Sequence, residues 1–441
     1  MSSPGGKKQK LALVVYRTFV TAVLLAGFVV CRVPSVTAEN LHELFLDLSK
    51  RHKRIQAAEA DMEAARNNVR VVLGAWFPEF SVTTHYGYED QTKPNALGTH
   101  MPSRELDLKI SQLLWDFGAT NSAVRQASLT FEQTRSVLEL TRQGLLLEAV
   151  VAYLSLNNAK ETLGFAIQSE ANIKRQTEME NALVARGSGF STDVLQAKAQ
   201  LAGANARLVQ ARGVLRTAQN RYQAVFYAAP PATLVKPRIP EELLPASMDE
   251  AVDIAMKNSI QLKAAKIAAD VAKEAITHTR ASQYYPSIKG TVDRKWKQNV
   301  QGTQGFKGET FIKAELTHTF NLGFTASNAM GAARSTWQAA EDRYMDTREL
   351  ISEQTRNAWS DIKTARNNAA FLSNQANISA EFLDLARKER QLGRRSLLDV
   401  LAGETELINA RSDAAAAKTS VAVAIFSLLS AMGELEADLL R

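Results

Sequence analysis

Gly187 to Leu201 reads GSGFSTDVLQAKAQL, and Gly393 to Leu407, 206 residues later, reads GRRSLLDVLAGETEL. Each stretch opens on a glycine, the residue best suited to the left-handed position that stops a helix. Ser191 and Ser396 then stand where a hydroxyl can cap the next helix, with Asp193 and Asp399 in its first turn, where the helix dipole favours a negative charge. Both stretches therefore predict the tip of a helical hairpin, with Gly187, Ser191, Gly393 and Ser396 making the turns.

On the N-terminal side of each tip the chain runs without proline from 119 to 186 and from 326 to 392. At about 1.5 Å per residue each run would make a helix roughly 100 Å long. Between Val124 and Leu163 apolar residues follow three-and-four steps, and a second stripe through Val137, Leu140, Leu147, Val151 and Leu154 flanks the first. A helix with two adjacent stripes packs against neighbours on both sides, as the wall of a tube requires. The returning helices are expected over 191–228 and 397–440.

Further outward two more landmarks recur at nearly the same interval. Trp76-Phe77-Pro78 returns as Tyr284-Tyr285-Pro286, and Trp115-Asp116-Phe117-Gly118 returns as Phe320-Asn321-Leu322-Gly323. Three landmarks in one order identify a duplication. Between each pair of landmarks the hydrophobic period falls to two: Phe80, Val82, Thr84, Tyr86 and Tyr88 share one face, and Ile312, Ala314 and Leu316 do the same in the second half. This predicts strands at about 79–90, 104–116, 287–298 and 309–320. Their length suits tilted transmembrane strands, and Trp76, Trp115, Tyr284, Tyr285 and Phe320 at their ends match an interfacial aromatic girdle. A half-buried sheet of a soluble domain has the same period. Residues 40–75 and 247–280 read as helices preceding each hairpin. The resulting division is a first repeat over 39–229, a connector over 230–246 holding five of the eleven prolines, and a second repeat over 247–441.

Residues 1–38 hold five bases, no acid, an apolar stretch from Phe19 to Val30, and Val36-Thr37-Ala38 ahead of Glu39, which predicts an export signal cleaved after Ala38. Its removal takes five of the 53 bases and none of the 46 acids, so the charge falls from +7 to about +2. No basic stripe interleaved with aromatics remains, which argues against nucleic-acid binding. Cys31 is the single cysteine and lies in that segment, so no disulfide framework is expected. The six histidines form no metal-ligand spacing, and no phosphate loop or nucleophile elbow accompanies the many serines, so the chain does not read as an enzyme.

Signal, helix, hairpin, long helix, glycine turn and returning helix, all duplicated, form a plan that resembles the TolC family of outer-membrane channels. The residues carrying the resemblance are the two tips, Leu113 to Gly118, and Leu428-Leu429-Ser430-Ala431-Met432-Gly433. It implies a mainly α fold with a transmembrane β portion, in which a homotrimer closes a 12-stranded β-barrel continuous with a long periplasmic α-helical barrel. It also implies contact with outer-membrane lipid, a periplasmic adaptor protein, an inner-membrane ABC or proton-driven transporter, and no cofactor. The loops around Gln91–Ser103 and Asn299–Gly308 would face outside and the tips the periplasm. At the tips the family has a gate. By motif position Asp193 and Arg395 match its linking acid–base pair, Asp399 its ring of carboxylates, and Arg390 replaces a linking tyrosine. Ala402 stands where a second acidic ring would be, with Glu404 the candidate to replace it. A soluble periplasmic coiled-coil scaffold or adaptor remains the alternative reading, explaining the helices but not the paired hairpins.

Overall fold

The computed structural model describes residues 41–92, 94, 98–231, 233–319 and 321–440. The expected export signal and Phe320 lie outside the described residues. The chain divides into two units. One comprises residues 1–39 and 231–235, and its described positions carry no regular secondary structure; the other, residues 40–230 and 236–441, holds the elements that follow.

Helices α1 (Leu41–Arg51) and α2 (Lys53–Leu73) lead into strands β1 (Glu79–Gln91) and β2 (Thr99–Trp115), then α3 (Ala119–Ala185) and α4 (Ser191–Phe226). The second half repeats that order as α5 (Met248–Asn258), α6 (Ile260–Tyr284), β3 (Ser287–Val300), β4 (Thr303–Thr317), α7 (Thr325–Gln391) and α8 (Leu397–Ala431). The long helices α3 and α7 have 67 residues each.

The helix expected over 40–75 is two. At His52 the backbone turns extended, with φ −69° and ψ 127°, and the ring nitrogen accepts a hydrogen bond from the Arg54 N–H, capping α2. Ser259 does the same between α5 and α6, its hydroxyl accepting from the Leu262 N–H at 3.3 Å. Helical periodicity continues through both breaks, which is why the sequence reads as unbroken. The last helix also stops short of residue 440. It ends at Ala431, and Gly433 follows at φ +77°, where a Cβ would lie 2.6 Å from the Asn258 carbonyl oxygen.

The four strands form one antiparallel sheet in the order β1-β2-β3-β4, so the central β2–β3 pair joins the two repeats and β1 and β4 are edges. Both hairpins extend farther than the alternation predicts. Pro102, which reads as a loop residue, pairs opposite Tyr88 where β2 has passed beyond β3 and no ladder donor is needed. In the second hairpin Asn299, Gln301 and Gly302 take positive φ, and the Glu89 carboxylate of β1 accepts from the N–H groups of Gln301 and Gly302. That tight turn pairs Lys297 with Lys307, and Lys307 lies inside the segment expected to be loop.

Two matching corners join the sheet to the long helices. The Asp116 carboxylate accepts from the N–H of Gly118 at 3.1 Å and of Thr120 at 2.6 Å, and Asn321 accepts from the Gly323 N–H at 2.8 Å. Beyond the corner α3 is the central element, packing on α2, α4, α6 and α8. Leu145, Ala149, Ala152 and Leu156 of its first stripe are buried, each such leucine contributing about 1.5–3 kcal/mol. Of the second stripe, Leu140, Leu147 and Val151 are only partly covered within one chain and Val137 is exposed, whereas Leu154 is buried within the chain itself. Helix α8 is long and apolar enough to cross a membrane by length and composition, yet much of it is buried against α7 and α3.

Candidate functional site

Both tips are built by the same backbone device. The Gly187 N–H donates to the Val184 carbonyl and the Ser188 N–H to Leu183; Gly393 and Arg394 repeat this onto Arg390 and Glu389. Gly187 at φ +76° and Gly393 at φ +74° supply the left-handed residue. The caps that follow differ. Ser396 accepts from the Asp399 N–H at 3.2 Å, as expected, whereas Ser191 is the first helical residue and caps nothing. The cap position there belongs to Phe190, which has no side-chain acceptor. At the 206-residue interval Ser396 is matched with Phe190, so the two serines are not equivalent.

The tip is held by an apolar layer and a polar layer. Leu397 and Leu401 of α8 are buried among Ile173 of α3 and Ala197 and Ala204 of α4, tying the second repeat onto the first. Around that layer the charged pairs are not the expected ones. Arg395 lies in the turn, within local reach of its own repeat: its Nε donates to Glu389 at 2.6 Å, Asp399 lies at 3.9 Å, and the guanidinium sits over the Phe382 ring. Within the chain it pairs with these carboxylates and not with Asp193. The acid–base link between repeats is made instead by Arg390, which donates to Glu180 of α3 at 3.0 Å and lies 3.9 Å from Asp193 of α4. Glu180 is 2% exposed and carries no motif, and most of its near neighbours in the sequence are polar, so the sequence offered no signal for it.

Glu404 does not supply a second acidic ring. It is 6% exposed, paired with Arg387 of α7 and accepting from Asn172 of α3 at 3.4 Å. Burial lowers the Arg387 pKa, Asp384 counteracts this, and Arg175 and Arg411 add to the lowering. Asp399 is half-exposed beside the tip, and Ala402 is exposed one turn on.

The sheet divides its faces by chemistry. Phe80, Ile110, Val292 and Ile312 form one cross-strand row on a face that is open to the surroundings; Ile312 is 81% exposed and Tyr86 is 76% exposed. On the other face ions interlock: Lys295 donates to Asp107 at 2.5 Å, and Lys297 lies 3.1 Å from Glu309 and 3.7 Å from Glu105. Where sheet meets helices, Trp115 meets Phe117 edge-on at 6.1 Å and Phe117 stacks on Tyr285 at 5.2 Å. Trp76 donates to Asn121 from the same level, and Tyr284 is half-exposed beside Tyr285. Phe117, at φ +53°, links the aromatics of the two repeats and was not among the girdle residues expected from sequence.

Comparison with known proteins gives this arrangement its family. The family model described as "Outer membrane efflux protein" matches residues 46–225 and 251–434, a segment of each repeat. The chain belongs to the outer membrane efflux protein family, that of the TolC channels. The outer membrane efflux protein BepC of Brucella suis is 25% identical over 422 residues, covering 95% of this chain and 90% of BepC. The alkaline protease secretion protein AprF of Pseudomonas aeruginosa is 24% identical over 406 residues, covering 88% of this chain and 83% of AprF. The crystal structure of the Campylobacter jejuni CmeC outer membrane channel superposes with a TM-score of 0.80 at 14% identity, covering 91% of this chain and 88% of CmeC.

An outer membrane efflux protein is a channel and not an enzyme, and its place is the outer membrane of a Gram-negative cell. A soluble periplasmic scaffold does not account for that membership or for the exposed apolar face of the sheet. Among the described residues no cluster of histidine, cysteine, aspartate or glutamate could hold a metal ion.

Proposed function

We propose that three copies of this chain join through the open edges of β1 and β4 into one closed barrel in the outer membrane. The four-stranded sheet carries the reading. One face is apolar and exposed, the other is an ion-paired lattice, and among the described residues the outer edges of β1 and β4 have no strand partner within the chain. In lipid an unpaired edge costs several kcal/mol per orphaned backbone group, so the sheet needs closure, and the apolar face then meets lipid. The partly covered second stripe of α3 fits contact between protomers in a continuous helical tube.

Cargo passes through this tube from an inner-membrane ABC or proton-driven transporter, with a periplasmic adaptor docked at the helix tips. Relatives named for efflux and for protease secretion match this chain at similar identity, so small molecules and proteins both fit as cargo. The tips form the gate. Glu180–Arg390 holds the two repeats of one protomer together, and the half-exposed Asp399 carboxylates of three chains make a cation-favouring ring. Arg395, at the turn, is placed to reach Asp193 of a neighbouring protomer when its local pairs open.

The test is a reversible lock. Cys31 is the sole cysteine, so Asp193→Cys with Arg395→Cys introduces one defined pair into the processed chain. Oxidation is expected to give disulfide-linked oligomers with export blocked until reduction. Free monomers after oxidation, with export unchanged, would remove the gate from the tips.

A further inference from the structure

The lipid-facing side of the sheet holds two arginines and no acid between Tyr88 and Leu316, although on the opposite face Lys295, Lys297, Lys307 and Lys313 pair with carboxylates. Arg294 lies in the middle of β3, in the row of Leu108 and Thr310, and Arg104 lies in the row of Tyr86, Gln298 and Phe306. Both are exposed, and among the described residues neither meets a carboxylate within 4.0 Å. An arginine on the lipid face near the bilayer midplane costs about 2–4 kcal/mol, falling to about 0–1 near the interface. Such a residue therefore reaches for a headgroup or an anion.

The conformation of Arg294 shows which way it reaches. Its guanidinium lies 5.0 Å from the Trp296 ring and donates to the Thr310 hydroxyl at 2.6 Å. A Cβ on Gly308 would stand 3.3 Å from its Nη2, so glycine leaves the slot it occupies. Trp296 and Gly308 pair with each other two residues nearer the β3–β4 turn than Arg294 and Thr310. The side chain thus leans away from the helices, toward the outer leaflet. Arg104, farther out by four strand residues or about 13 Å of rise, is held over Tyr86 at 5.4 Å. Two guanidiniums held over aromatic rings, stepped along one lipid-facing surface and lacking internal counter-charge, each present a planar fork that fits phosphate oxygens.

We propose that Arg104 and Arg294 form a binding site for a phosphorylated anionic lipid of the outer leaflet, with Trp296 and Tyr86 orienting the arginines and Leu106 and Leu108 meeting the acyl chains. The site is separate from the tip gate and needs only that the sheet lie in the membrane.

Native mass spectrometry of the full-length assembled channel tests this, after exchange with phosphatidylcholine, with a bisphosphorylated glucosamine lipid, or with inorganic phosphate. The native channel is expected to retain the phosphorylated lipid selectively, with retention about tenfold weaker for Arg104→Gln and for Arg294→Gln. Gly308→Val, which fills the slot and keeps both charges, is expected to weaken it as well. Arg104→Gln, on the outer rim, keeps the test available if a change at Arg294 prevents folding. Equal retention by the native channel and the arginine variants would overturn the proposal. So would equal retention of phosphatidylcholine, or displacement of the lipid by inorganic phosphate.

Discussion

Arg390 of α7 donates to the buried carboxylate of Glu180 on α3 at 3.0 Å, joining the two repeats about one helical turn from Gly393 and about two from Gly187. The same guanidinium reaches the Arg395 carbonyl at 3.4 Å, so one side chain fixes both the link between repeats and the turn that follows it.

Removing Arg390 leaves Glu180 buried without its cation. Arg390→Ser is expected to destabilise the closed tip by about 1–3 kcal/mol per protomer, and Asp193→Ala, at 3.9 Å from the same arginine, by about 0–1 kcal/mol. Vancomycin entry through the outer membrane reads the difference. Equal entry in the two variants would mean that Glu180 is not the principal partner.

The unequal caps give a stability prediction. Ser396→Ala should cost about 1 kcal/mol through the lost bond to the Asp399 N–H, while Ser191→Ala should be near neutral. Thermal unfolding of the two variants decides the matter, and equal losses would show that Ser191 also caps.

Selectivity should follow the exposed carboxylates. Asp399→Ala is expected to reduce cation preference, and Ala402→Asp, at an exposed position, to increase it, because Glu404 is engaged with Arg387. Reversal potentials across a salt gradient measure both. No shift in either variant would place the selective constriction away from the tips.

Acid should loosen the junction at His52. Its ring stacks on Tyr227 at 4.8 Å, and burial, followed by Arg54 and opposed by Glu148, holds its pKa below 6.5. The folded chain keeps this histidine neutral while the unfolded chain protonates below pH 6.5, so stability is full above that value and falls toward the lowered folded pKa. His52→Phe should flatten this part of the melting profile. An unchanged profile would assign the acid sensitivity to other groups.

Much of this architecture was legible because duplication states each device twice. The tip glycines, the proline-free helices and the period-two strands each recur near a 206-residue interval, and the structure places elements at all of them. What escaped was set by partners distant in sequence. Helical periodicity runs through His52, and only the Tyr227 ring and the Arg54 N–H reveal the break. Glu180 lies 210 residues from Arg390, in no motif, and the motif pair Asp193–Arg395 concealed it. Ser191 misled because it stands near the cap position without occupying it. In the longer second hairpin the turn is capped by Glu89, more than two hundred residues away.

The most direct test of the central claim is single-channel conductance in a planar bilayer for the native channel and for Arg390→Ser. The account predicts small, mostly closed openings for the native protein and larger, longer ones when the link to Glu180 is lost. Large native conductance, unchanged by Arg390→Ser, would contradict a gate at the tips.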